Sequence, residues 1–514
     1  MSRLHFFCLF VILSAVQTNS IAQLVKNSQE LPVKFAPVKT YTSGGWSAES
    51  VAVSDLNGDG HLDVVVANGL GSDSTYGEVS VLLGNGNGTF QPAVSYSSGV
   101  EFAQSVAIGD VNGDGKPDLV LSNLCDINCD GEVSVLLGNG DGTFQPAVTY
   151  NSGGSYAWSV AIGDLNGDGI PDLVVANQYQ SCCGGDSEVG VLIGNGDGTF
   201  QPAVTYNSGG SASYSVAIGD VNGDGIPDLL VTNECNPNND CQTGSVGVLL
   251  GNGDGTFRAA VTYDSLQAYF VTIGDVNGDG KPDLVVANYG GSSVSVLLGN
   301  GDGTFQPGVT YYTEGDQAES VAIGDVNGDG KPDLVVANYC FLGKHGDNCE
   351  HGSVSLMLGN GDGTFQAPVI FSSGGVQAES VAIGDVNSDG KPDVLVTNRC
   401  GPNDYCTNGT VGILLNKTSS ATTTTALTSS PNPSQINESV TLTATVASAL
   451  VIANGETIAF YDGKTELGTG TTTNGIATLT TSFSKAGKHT IKATYPGDAF
   501  HKASSGTVKQ VVNQ

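Results

Sequence analysis

Asp110-Val-Asn-Gly-Asp-Gly-Lys-Pro-Asp118 places aspartate at the first, fifth and ninth positions, asparagine at the third and glycine at the sixth. Near-identical stretches begin at Asp55, Asp164, Asp220, Asp275, Asp325 and Asp385, giving seven copies with steps of 55, 54, 56, 55, 50 and 60 residues. That period is longer than any two-helix repeat and matches a unit of four short strands. Around each acidic loop the sequence reads alike. A run such as Ser159-Val-Ala-Ile-Gly163 precedes it and a DLVVAN-like run follows; then come a run like Val133-Ser-Val-Leu-Leu137, a Gly-rich turn and a run like Gln145-Pro-Ala-Val-Thr-Tyr150. Runs rich in Val, Ile, Thr and Tyr, bounded by Gly, Asn, Asp and Pro, predict strands. No segment carries helical periodicity.

Seven four-stranded units repeated in one chain predict an all-β, seven-bladed β-propeller, an architecture that protects its sheet edges by closing on itself. The Gly-rich turn occurs six times, and the seventh unit stops at Asn416 one strand short. Phe35-Ala-Pro-Val-Lys-Thr-Tyr41 matches Phe144–Tyr150 without a unit of its own. Residues 35–41 are therefore expected to complete the last blade and lock the ring.

The acidic loops read as cation sites. Calcium takes six to eight oxygen ligands in flexible geometry. The expected ligands are Asp55, Asn57, Asp59, the His61 carbonyl and Asp63 in the first loop, and Asp110, Asn112, Asp114, the Lys116 carbonyl and Asp118 in the second. In the third they are Asp164, Asn166, Asp168, Ile170 and Asp172, and in the fourth Asp220, Asn222, Asp224, Ile226 and Asp228. The fifth offers Asp275, Asn277, Asp279, Lys281 and Asp283, the sixth Asp325, Asn327, Asp329, Lys331 and Asp333, and the seventh Asp385, Asn387, Asp389, Lys391 and Asp393, with seventh-position residues acting through the backbone. An EF-hand would need a glutamate at position twelve, where the first loop has Val66, and flanking helices. The bland alternative, Asx-rich turns that bind nothing, needs far fewer carboxylates. Net charge agrees: 18 basic against 51 acidic residues leave −33, which about seven Ca²⁺ would reduce to −19. So acidic a chain lacks the basic footprint that nucleic acid or an anionic membrane requires.

These loops and turns resemble the FG-GAP and VCBS repeats of integrin α-subunit propellers and secreted bacterial proteins, over about residues 35–416. The resemblance implies calcium at the loop positions above, on the lower face, and ligand binding on the opposite face.

Near the start of each first strand, one column of residues is asymmetric: Glu49, Gln104, Trp158, Tyr214, Tyr269, Glu319 and Glu379. An aromatic arc facing carboxylates suits sugar rings or a cationic peptide group, and packing between blades is the plain alternative. Ten cysteines fall in the stretches between second and third strands: Cys125 and Cys129, Cys182 and Cys183, Cys235 and Cys241, Cys340 and Cys349, Cys400 and Cys406. Local disulfides are expected for an exported chain; zinc at Cys340, His345, Cys349 and His351 is the alternative for one pair.

Residues 1–22 read as a secretory leader, with an apolar run from Leu4 to Val16 that is too short to span a bilayer. The expected chain is then secreted or cell-surface, with a linker at 23–34, a Ser/Thr-rich linker at 417–425 and strand-like alternation over 426–514. That last segment argues for a β-sandwich and, through FYDG and GKHTIKATYPGD, resembles bacterial Ig-like modules. No GxSxG, HExxH or P-loop pattern occurs, and the few histidines are scattered. A non-catalytic recognition or adhesion module for an extracellular glycan or protein ligand is the favoured reading. Its alternatives are a carbohydrate-active enzyme using Glu49, Glu319 and Glu379 and a purely structural surface protein.

Overall fold

The computed structural model describes residues 33–71, 76–125, 130–179, 187–238, 241, 243–340, 351–402 and 408–514. The expected leader lies outside them. Among the described residues every regular element is a strand.

Each acidic loop joins an innermost strand to a buried second strand, as Asp55–Asp63 joins Trp46–Ser54 to Asp63–Leu70. The second strands are apolar on both faces because each blade is packed between two neighbours: Val64, Val65, Val66 and Ala67 are all fully buried. Antiparallel third and outer strands complete each unit, and the long strand Val148–Gly163 serves as the outer strand of the second unit and the innermost strand of the third. Innermost strands touch in sequence around the ring, and Trp46–Ser54 packs against Val376–Gly384, which closes it.

Lys39–Thr42 pairs antiparallel with Thr410–Leu414 in the seventh sheet, with Lys39 opposite Ile413 and Thr42 opposite Thr410. Upstream, Phe35 bridges Asn416, and the Ala36 N–H donates to the Leu415 carbonyl at 2.8 Å. A belt of edge-to-face aromatic pairs joins neighbouring blades: Tyr96–Phe144, Tyr150–Phe200, Tyr206–Phe257, Tyr263–Phe305 and Tyr311–Phe365 lie at 5.4–5.6 Å. The N-terminal segment supplies the two pairs that complete the belt, Phe35–Phe371 at 5.0 Å and Tyr41–Phe90 at 5.4 Å.

The C-terminal module is a sandwich. Thr423–Ser430, Ser439–Ser448 and Ile476–Ser482 form one sheet; Ser504–Asn513, Gly487–Tyr495, Thr457–Asp462 and Thr465–Thr471, with the short Ser434–Gln435, form the other. Leu442, Phe460, Ile491 and Tyr495 are buried between them. The first strand starts inside the stretch read as linker, because β-branched threonines suit a strand once Ser439–Ser448 offers a partner. The last strand, Ser504–Asn513, pairs antiparallel with Gly487–Tyr495 along its length.

Candidate functional site

All seven residues of the column line one cavity of about 80 Å³ at the ring axis. A local backbone device aims them there. In each innermost strand the register slips at the column position, as between Ala48 and Ser50 around Glu49, or between Ala318 and Ser320 around Glu319. The column residue is thus the extra residue of a β-bulge, which re-aims its side chain. Two positions earlier in every blade stands a non-glycine residue in the left-handed region: Ser47, Phe102, Tyr156, Ala212, Gln267, Gln317 and Gln377, with φ between 41° and 62°. Such residues are costly and persist where the surroundings enforce them. Seven repetitions make the bulge a built feature of the channel mouth, and a Gly-poor, alternating run in the sequence carried no sign of it.

The aromatic arc is continuous. Trp158 and Tyr214 meet at 4.9 Å, Tyr214 and Tyr269 at 4.6 Å, and Tyr269 and Tyr289 at 5.5 Å. The Tyr214 hydroxyl donates to Glu234 Oε2 and accepts from Gln178 Nε2, each at 3.0 Å. Burial raises the pKa of both Tyr214 and Tyr269, so both stay neutral donors.

The carboxylates are not equivalent, and the reason is Arg399, which the sequence reading did not select. It closes the second strand of the seventh blade and lies between two of them. Nε and Nη2 donate to Glu49 Oε2 at 3.2 and 3.0 Å, and Nε is also 2.8 Å from Glu379 Oε1. Its guanidinium sits over the Tyr339 ring at 5.8 Å. Burial works against the charge of Arg399, but Glu379 and Glu49 outweigh it and hold the guanidinium firmly protonated. Burial and the neighbouring Glu319 push Glu379 well above the ordinary carboxylate range. Glu319, 3% exposed, lies outside this ion-pair cluster, and burial raises its pKa to about 8. Glu319 Oε2 and Trp158 Nε1 are both buried without a hydrogen-bond partner. The cavity therefore offers the Glu319 carboxyl and the Trp158 N–H to whatever enters it.

On the opposite face the acidic loops are preorganised. Asp55 accepts from the Gly58, Asp59 and Gly60 N–H groups at 2.8, 3.2 and 2.8 Å, Asn57 Oδ1 from Asp59 at 2.9 Å, and Asp59 Oδ1 from His61 at 2.9 Å. The ninth-position Asp63 is a clamp: Oδ2 accepts from Leu56 at 2.9 Å and Oδ1 from Gly84 at 2.7 Å, tying the loop to the Gly-rich turn. Burial raises its pKa, and Asp59 and Asp55 raise it further. The ninth-position aspartates of the other loops shift the same way, Asp333 to about 7 and Asp393 to about 6. Among the described residues no three acidic, His or Cys side chains converge as a metal cage would. What fits calcium is the donor chemistry: an all-oxygen set on a turn already folded, with carboxylates that repel one another.

Of the cysteine pairs, Cys235–Cys241 forms a disulfide, and Cys340 and Cys400 are also disulfide-bonded. A disulfide sulfur is no thiolate ligand, so zinc at Cys340 is ruled out. Cys129, Cys182, Cys183, Cys349 and Cys406 lie outside the described residues, as do His345 and the side chain of Cys125.

Comparison with known proteins agrees with this architecture. FG-GAP-like repeats match residues 55–121, 123–175, 181–231, 238–286, 275–336 and 341–396. The chain belongs to the FG-GAP-like repeat family. Residues 427–513 of this FG-GAP-like protein match the bacterial Ig-like domain, group 3. Chicken integrin alpha-V is 31% identical over 205 residues, 35% of this chain and 19% of the relative. Bovine phosphatidylinositol-glycan-specific phospholipase D is 29% identical over 197 residues, 33% of this chain and 22% of the relative. The matched regions span about a fifth of those proteins. Among solved structures, BBS1N in complex with ARL6DN aligns over 76% of this chain and 98% of that one, at 10% identity and a TM-score of 0.47. The Pseudomonas aeruginosa periplasmic gluconolactonase PpgL aligns over 63% and 85%, at 15% and 0.43. No helix among the described residues is long and apolar enough to cross a membrane.

Proposed function

We propose that this FG-GAP-like protein is a non-catalytic recognition module of the cell exterior, braced by calcium on its lower face, that takes part of a glycan or protein ligand at the upper mouth of its channel. The observation that carries the reading is the pair of buried, unpartnered atoms, Glu319 Oε2 and Trp158 Nε1, beside an aromatic wall built by bulges in every blade. Leaving such atoms unpaired costs about 1–3 kcal/mol each, which a ligand hydroxyl or amide would recover. The cavity admits only one small group, so the rest of the ligand lies across the rim. Disulfides in the upper loops support an oxidising location. In the lower loops the aspartates, the third-position asparagine and the seventh-position carbonyl would hold the ion. Calcium there would offset the carboxylate repulsion that adds to burial in raising Asp63.

The enzyme reading loses ground at Arg399. Glycoside cleavage needs two carboxyl groups in different protonation states flanking the bond, and Arg399 engages both Glu49 and Glu379. One carboxyl remains. The test is binding of the calcium-loaded chain to glycan and matrix-protein panels beside an assay for released reducing ends. Saturable binding without turnover supports the proposal; turnover refutes it.

A further inference from the structure

The seventh acidic loop differs from the other six. In loops one to six the third-position asparagine turns its oxygen inward to accept the fifth-position N–H, at 2.7–2.9 Å. In the seventh, Asn387 instead presents its amide nitrogen, which donates to Asp393 Oδ2 at 2.8 Å. An NH₂ group has no lone pair for a cation. At the fourth position the other loops carry glycine with φ of 74–76°, whereas the seventh holds Ser388 in the left-handed region at 56°.

The chain also covers this loop with its own groups. Lys417, just past the last blade, places Nζ 3.7 Å from Asp389 Oδ2, the fifth-position carboxylate. Lys391 Nζ donates to the Thr418 carbonyl at 2.6 Å and lies 6.0 Å from the Phe500 ring. Phe500 belongs to a loop of the Ig-like module whose neighbour Ala499 sits against Gly390, so that a Cβ on that glycine would come within 2.9 Å of the Ala499 side chain. Phe500 itself rests on Gly328 of the sixth loop, and its carbonyl accepts from the Ala421 N–H at 2.7 Å. Loop two also has a lysine near its fifth-position aspartate, Lys116 to Asp114 at 3.3 Å, but there Asn112 keeps its oxygen inward.

We infer that the seventh loop is not a calcium site: the Lys417 ammonium and the inward amide of Asn387 replace the ion, and the loop serves as the seat of the Ig-like module. The propeller then takes six ions, not the seven its repeats suggest. The inference rests on the calcium reading of the other loops, and the test separates the two. Calcium bound per full-length chain is counted by native mass spectrometry and by calorimetric titration with CaCl₂. Six ions are expected, still six in Asp389→Asn, and five in Asp168→Asn, the same position of loop three. Seven ions with six in Asp389→Asn would overturn the inference and leave the calcium reading intact. Six ions falling to five in Asp389→Asn would overturn it as well. No bound calcium would sink both. Circular dichroism spectra matching the parent chain would show that each variant is folded.

Discussion

Cutting the chain so that it begins at Ser43, and comparing it with the chain from Gln23, tests how the ring is held shut. The cut removes the segment that pairs with Thr410–Leu414 and supplies two members of the aromatic belt. Val33 is fully buried, and Phe35, Val38 and Tyr41 are packed at the junction of the sixth, seventh and first blades. One fully buried and three partly buried side chains of this size are together worth about 4–6 kcal/mol. The two edge-to-face pairs add about 1–3 kcal/mol beyond their area. The sum approaches the whole stability of a typical domain, about 5–15 kcal/mol, and Val411 and Ile413 would be left on an open sheet edge. Calorimetry and near-ultraviolet dichroism should show that the shortened protein lacks a cooperative propeller transition. Grafting residues 33–42 after Asn416 should restore it. As a point test, Tyr41→Ala should cost as much as Tyr150→Ala, about 2–3 kcal/mol, since the two tyrosines hold equivalent places. A shortened chain that melts with the parent would refute the closure.

Chelation should lower the melting temperature sharply. With a dissociation constant of about 0.1 mM, 1 mM calcium stabilises each site by roughly 1.4 kcal/mol and six sites by about 8 kcal/mol, a fall of at least about 10 °C; identical melts in EGTA and calcium would end the metal proposal. Arg399→Ala leaves Glu49 and Glu379 without their cation and should destabilise by about 3–5 kcal/mol, measured by denaturant titration, with Glu49→Gln and Glu379→Gln restoring part of the loss. Burial raises the pKa of Glu319 from 4.5 to about 8, so the native state keeps a proton that the unfolded chain has lost. Its contribution to stability therefore falls as pH rises through that window. Glu319→Gln should flatten the slope relative to the parent; an unchanged difference between pH 5 and 8 would contradict the assignment.

The repeat was legible because its turn chemistry is rigid: a glycine at the sixth position and oxygen donors every second residue leave few other conformations. The matching FQPAVTY-like segment at the N-terminus carried the closure in the same way. The column at the channel mouth was legible as residue types but not as geometry, since a bulge adds no residue type of its own. Arg399 was hidden because one partner, Glu49, is 350 residues away and reaches it only when the ring closes, and the other, Glu379, is 20 residues away and reaches it only through strand pairing within the blade. The Ser/Thr-rich stretch after Asn416 misled for the opposite reason: threonine suits both a linker and a strand, and the decision lies in the partner strand at Ser439–Ser448. Loop seven likewise differs from its siblings in sequence only at Ser388, while the inward turn of Asn387 and the approach of Lys417 are contacts of the folded chain that no residue type announces.

The recognition proposal is tested most directly by passing the calcium-loaded full chain over an array of glycans and matrix proteins beside the double variant Trp158→Ala, Tyr214→Ala. Saturable binding by the parent, lost in a variant that still unfolds in a single cooperative propeller transition, is the expected result. A blank array, or binding that survives the double substitution, would contradict a recognition site at the channel mouth.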